Sequence, residues 1–180
     1  MRTRVYDGFV KIDQVETDEG LREVIVTTDS VAFLVYDKNR DEVLFVTQDR
    51  APMMEPNNPQ GTLLEVGAGR FDIKIGVRGL IVKELKEELG VTVTENEVHV
   101  LNDEIPLAVS AGILTERLYL AYVEVTTDRI DPTNRLYGNH EEGEAITRRF
   151  VPVSELPQIQ IHDMKTWALL QWFRTRKTVK

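Results

Sequence analysis

The chain has 180 residues, 42% hydrophobic and 29% charged, enough for one globular domain that buries about 70% of the surface of its unfolded chain. It has 0 cysteines, which excludes disulfides, zinc–thiolate sites, iron–sulfur clusters and thiol nucleophiles. A net charge of −8 argues against a general nucleic-acid binder, which needs a basic face, and admits a phosphorylated small molecule only with a cation between the two.

In chain order, Val5 to Gln14 and Leu21 to Thr28 are rich in Val, Ile, Tyr and Phe and are predicted as strands, with Thr17-Asp18-Glu19-Gly20 as a turn. They form an N-terminal extension, residues 1–28, ahead of a domain over residues 29–180. Val31 to Tyr36 is a continuous apolar run, the pattern of a strand buried on both faces, and Glu42 to Gln48 returns beside it as a hairpin partner. Residues 51–61 hold prolines, asparagines and a glycine and are predicted as a functional loop. The spacing of Val77, Leu80, Ile81 and Leu85 predicts a helix over 77–89, stopped by Gly90. Strands follow at about 97–107 and 115–126, then a polar, turn-rich stretch over 127–143. A short strand over 148–153 and an amphipathic helix over 163–176, carrying Trp167 and Trp172, complete the chain. The order predicts an α/β fold, in the α+β sense of a mixed sheet. No apolar stretch approaches the ~20 residues of a membrane span, and no signal peptide precedes the first strand. The expectation is a soluble cytoplasmic protein without membrane partners.

The chemistry concentrates in Lys83-Glu84-Leu85-Lys86-Glu87-Glu88-Leu89-Gly90-Val91. On a helix Glu84 lies beside Glu87 and Glu88, so three carboxylates share one patch. Like charges at this spacing repel, and acids in a last turn oppose the helix dipole by ~0.3–1 kcal/mol each. Breaking both local rules beside a buried apolar stripe is the mark of a functional site, and a hard divalent cation on the carboxylate oxygens would offset both penalties. Upstream, the glycines of Glu65-Val66-Gly67-Ala68-Gly69 permit close backbone approach.

Gly69 through Val91 resembles the Nudix box. The spacing is kept, and Gly69, Glu84, Leu85, Glu87, Glu88, Gly90 and Val91 fit. Ile75 stands where the box has its first Glu, and Lys83 where it has Arg. The resemblance extends over about residues 5–175 toward the ADP-ribose pyrophosphatase-like branch. Gln48-Asp49-Arg50, Glu65 with Ala68-Gly69, Ser110-Ala111-Gly112 with Glu116, and the acidic segment Glu141 to Ile146 match its motifs, with departures at Asp49 and Ala111.

The resemblance implies a Nudix-type α/β/α sandwich with an N-terminal strand extension that serves as a dimer arm. It implies a homodimer that hydrolyses a nucleoside diphosphate linked to another moiety, ADP-ribose or a related nucleotide sugar, with Mg2+ or Mn2+. By the family's pattern Glu84, Glu88, Glu144 and the Ala68 carbonyl would hold metal. Glu142 would be the general base or orient the attacking water, with Glu87 a further ligand or catalytic support. Arg50, Glu65 and Glu116 would contact substrate. The rival expectation is a catalytically weak Nudix domain that binds a nucleotide and regulates or scaffolds. Ile75 is expected to pack apolarly in place of the missing acid. His99, His140 and His162 are scattered, and Ser110 lacks the elbow of a serine nucleophile.

Overall fold

The computed structural model describes residues 1–138 and 145–178. The N-terminal extension is a three-stranded antiparallel sheet of β1 (Arg2–Asp7), β2 (Lys11–Thr17) and β3 (Gly20–Val26). The predicted strand over Val5 to Gln14 is thus two, parted by a turn at Gly8-Phe9-Val10. Arg2 and Arg4 both bind the buried carboxylate of Asp13, which ties β1 to β2. Backbone bonds between Ile25 and residues 113 and 115 join this sheet to the main body.

Among the described residues the main sheet has eight strands: β4 (Ser30–Asp37), β5 (Glu42–Asp49), β6 (Thr62–Glu65), β7 (Gly67–Arg70), β8 (His99–Val100), β9 (Leu107–Ala108), β10 (Arg117–Val125) and β11 (Thr147–Pro152). Its spine runs β11-β5-β4-β10-β8, with β10 parallel to β4. β4 is buried along its whole length. Val31, Phe33 and Val35 face one core and Ala32, Leu34 and Tyr36 the other, as the alternation of a strand demands. The helices α1 (Val77–Leu89) and α2 (Met164–Thr178) cover the two faces: Leu80, Ile81, Leu85 and Leu89 in the first core, Leu169, Leu170 and Phe173 in the second. This is a mixed α+β sandwich, as the element order predicts.

The sheet forks. β4 and β5 pair only near their turn, Val35 with Leu44 to Asp37 with Glu42. Beyond it β4 pairs with β7, Ala32 opposite Ala68, and β5 pairs with β6, Val46 opposite Glu65. The corner Glu65-Val66-Gly67-Ala68 therefore sits in the cleft between the two central strands.

The predicted strand over 97–107 is broken. β8 and β9 are two residues each, separated by a turn in which Asn102, Asp103 and Glu104 all adopt positive φ. Asn102 bonds the Ile105 carbonyl and Glu104 pairs with Arg78 of α1, which hold that turn against its backbone preference. Of the two tryptophans of α2, Trp172 packs against the second core and Trp167 is exposed.

Candidate functional site

A cavity of about 1090 Å³ opens at the fork. Its walls come from β4, the β6–β7 corner, the C-terminal half of α1, the start of α2 and the segment from Leu107 to Leu120. Arg50, Glu65, Ala68, Glu84, Glu87, Glu88 and Glu116 all line it, residues far apart in sequence and selected from it. Glu142 and Glu144 lie outside the described residues, as does His140. His99 lies on β8, its ring 6.3 Å from that of Trp172, and His162 precedes α2; neither lines the cavity.

The acidic wall is positioned from two sides. The Glu88 carboxylate is buried and accepts the backbone N–H of Ala68 at 2.9 Å, which docks the helix onto the corner. Gly69 permits the same approach one residue on, because a Cβ there would collide with the Glu84 side chain. Lys83 lies along this wall, its Nζ 2.8 Å from Glu87 Oε2 and 3.2 Å from Glu84 Oε1. Partial burial opposes its charge, but the Glu87 hydrogen bond and the Glu84 carboxylate outweigh that and raise the pKa of the ammonium. Ile75 is folded onto Gly79 in the first turn of α1 and packs against the core, the apolar role expected of it.

The helix end itself is fixed by polar contacts. Gly90 caps it in the left-handed conformation (φ +63°), and a Cβ there would meet the Tyr137 ring and Asp131. Arg148, on β11, donates Nη1 to the Leu89 carbonyl at 2.8 Å and to the Asp131 carbonyl at 3.0 Å, and its guanidinium stacks on Tyr137. Burial lowers its pKa. Gly138 donates to the Glu87 carbonyl at 3.0 Å. The last turn of α1, otherwise a row of open carbonyls, is thus held by the segment that follows β10.

Another part of the lining holds charged groups of which the sequence flags Arg50, Glu65 and Glu116 but not Lys165 or Asp163. Glu65 is buried and bound by two cations, Arg50 Nε at 2.7 Å and Lys165 Nζ from the first turn of α2. Lys165 also pairs with Asp163 at 2.9 Å. Asp163 accepts the Thr166 N–H, and the Thr166 hydroxyl accepts the N–H of Val66 at 2.9 Å. Glu116 accepts the Ser30 hydroxyl at 2.5 Å, which fixes its carboxylate beside β4. Arg70 and Asp72 line the cavity as well. Lys165 and Asp163 resemble ordinary helix-start residues in sequence; only the fold reveals that Lys165 pairs with Glu65. Leu118, Leu120, Met164 and Ala168 add an apolar surface, so the cavity combines the acids of α1, a cluster of ion pairs around Glu65 and an apolar patch.

Among the described residues no three His, Asp or Glu side chains form a closed metal cluster. The donors still suit magnesium or manganese in kind, since Glu84 and Glu88 are hard carboxylate oxygens brought against the carbonyl-bearing corner at Ala68 and Gly69.

Over 162 residues the chain is 30% identical to the GDP-mannose pyrophosphatase of Cronobacter sakazakii (strain ATCC BAA-894), covering 86% of this chain and 78% of the relative. It is 28% identical over 157 residues to the GDP-mannose pyrophosphatase of Enterobacter sp. (strain 638), covering 85% and 77%. No protein-family model matches. With such a relative aligned over most of both sequences, and the box folded as strand corner and helix around one cavity, the chain belongs to the Nudix family.

Proposed function

We propose that this protein is a metal-dependent pyrophosphohydrolase of nucleotide sugars. The observation that carries the reading is that one cavity gathers the acids of α1 and the cationic pair Arg50 and Lys165. A nucleoside diphosphate sugar needs both: cations for its diphosphate, and acids to hold the metal that shields it from a protein of net charge −8. The names of the relatives put GDP-mannose first among substrates, with ADP-ribose, which the motifs resemble, beside it.

In this reading Glu84, Glu88 and the Ala68 carbonyl would hold Mg2+ or Mn2+. When bound, such an ion neutralises the diphosphate, polarises its phosphoryl oxygens and lowers the pKa of water. The chain's own residues do the rest. Arg50 keeps Nε on Glu65 and turns its remaining guanidinium nitrogens to phosphate oxygens. Lys165 sets a second positive charge on the same wall. In the family's pattern Glu142 takes the proton of the attacking water or orients that water, and Glu87 supports the metal site. The water oxygen joins one phosphorus as the bridging oxygen leaves with the other, giving a nucleoside monophosphate and a sugar phosphate.

The reading includes a homodimer through residues 1–28, supported by β1, exposed throughout, and by Val5, Tyr6, Phe9, Val10 and Leu21, which lie open. Light scattering at micromolar concentration tests it, and an active monomer overturns it. The location is expected to be cytoplasmic; among the described residues no helix is long and apolar enough to cross a membrane.

The test of function is a panel of nucleoside diphosphate sugars, GDP-mannose and ADP-ribose among them, incubated with Mg2+ and assayed for the monophosphate released. A second reading, a nucleotide-binding domain without turnover, is favoured by Lys83, whose ammonium rests on Glu84, an acid the metal would use, and on Glu87 beside it. Binding of the panel without release would select it.

A further inference from the structure

We propose that Lys83 is a built-in counter-cation of the acidic wall, and that a divalent ion enters the site by displacing its ammonium. The inference rests on the reading of Glu84 and Glu88 as metal ligands. Lys83 Nζ lies 2.8 Å from Glu87 Oε2 and 3.2 Å from Glu84 Oε1, and all three side chains line the cavity. A lysine ammonium is a compact point charge with three donors, so it sits between two carboxylates much as a small cation does. Both acids that hold it belong to its own helix. Across the loop, position 75 offers no competing acid: Ile75 is folded onto Gly79, in the first turn of α1.

The consequences have opposite signs in the two states. Without metal, Lys83 relieves the mutual repulsion of Glu84, Glu87 and Glu88 at the helix C-terminus. When a divalent ion arrives, the same charge repels it and competes for the Glu84 carboxylate. Removing the charge at constant chain length therefore weakens the metal-free protein and strengthens metal binding, by at least about tenfold, the figure for a unit charge ~5 Å from a divalent ion at the dielectric of water.

The experiment measures Mn2+ binding to the substrate-free protein, by calorimetry and by the free-Mn2+ resonance signal, with melting temperatures at each Mn2+ concentration. The proteins are wild type, Lys83→Met, Lys83→Arg and Glu88→Gln, with Lys83→Gln in place of Lys83→Met should the thioether impair folding. The expected result is binding at least about tenfold tighter in the neutral variant, wild-type binding in Lys83→Arg, and weaker binding in Glu88→Gln. The neutral variant should melt below wild type without Mn2+ and gain more from its addition. If it binds no tighter than a wild type that does bind, the counter-cation proposal is overturned and the metal reading stands. If it melts lower by the same amount with and without Mn2+, Lys83 is a structural tie and the proposal is again overturned. Undiminished binding in Glu88→Gln, or binding by none of the proteins, overturns the metal reading and this inference with it.

Discussion

The two helices flank the same sheet and reach the same cavity, yet their charges are laid out in opposite ways. α2 follows the local rules. Asp163 accepts the N–H of Thr166 at its start, and Arg176 and Lys177 occupy its last turn, where cations complement the dipole. Lys177 reaches back over the Tyr36 ring to bind Asp41. α1 has no acid in its first turn and carries Arg78 there, lacks a side-chain cap at Gly76, and places Glu84, Glu87 and Glu88 at the wrong end. The contrast teaches where to look for function. α2 anchors the fold and lends Lys165 to the site, whereas α1 retains an unfavourable charge layout that Lys83 relieves in part.

Substitutions at corresponding points of the two helices sharpen this contrast. The largest effect is expected from Glu88→Gln. Turnover should fall more than about 100-fold, beyond the cost of losing an outer-shell partner alone. The metal-free melting temperature should hold or rise, since Gln keeps an oxygen for the Ala68 N–H and removes one of the crowded charges. Equal loss of turnover and melting temperature would make Glu88 a structural residue and erase the distinction between the helices.

Next comes Gly90→Ala at the end of α1. It should cost about 2 kcal/mol or more in denaturant unfolding, from the left-handed backbone and the contacts a Cβ makes with Tyr137 and Asp131. Asp163→Ala at the start of α2 removes a cap and should cost about 1–2 kcal/mol, or roughly 2–8 °C in melting temperature. Unlike Glu88→Gln it should lower stability in proportion to any loss of activity, because it frees Thr166 from its partner.

The smallest effect concerns pH. The Thr133 backbone N–H, with its hydroxyl, holds the Asp131 carboxyl down to about 2, from an ordinary value of 3.8. A depressed folded-state pKa gives stability that is present above the unfolded value and is lost as pH falls through the folded one. Asp131→Asn should therefore be less stable than wild type at neutral pH and decline less steeply between pH 4 and 2 in acid unfolding. Parallel acid profiles would show that this carboxylate does not stabilise the loop after β10.

Much of the fold was legible because it rests on periodicity. β4 and β5 follow from apolar runs around a polar turn, and α1 begins and ends where the spacing and Gly90 predict. The acids of α1 were legible because they violate local electrostatics. The Asp163–Lys165 pair was not, because both residues satisfy those same rules and so resemble an ordinary helix start. Arg148 hid in a predicted strand; nothing in its neighbours announces that its guanidinium turns inward to the end of α1. The break between β8 and β9 was hidden too, since the residues that adopt positive φ there include no glycine.

The corner in the fork is gripped from both sides by side chains rather than by strand partners alone. Thr166 of α2 takes the N–H of Val66, and two residues on Glu88 of α1 takes the N–H of Ala68. Hydrogen–deuterium exchange can therefore listen to the two helices separately through one short peptide. The Val66 amide should exchange only when α2 lifts away, and the Ala68 amide only when α1 does. A protein breathing at one face of its sheet would reveal which face within a span of three residues.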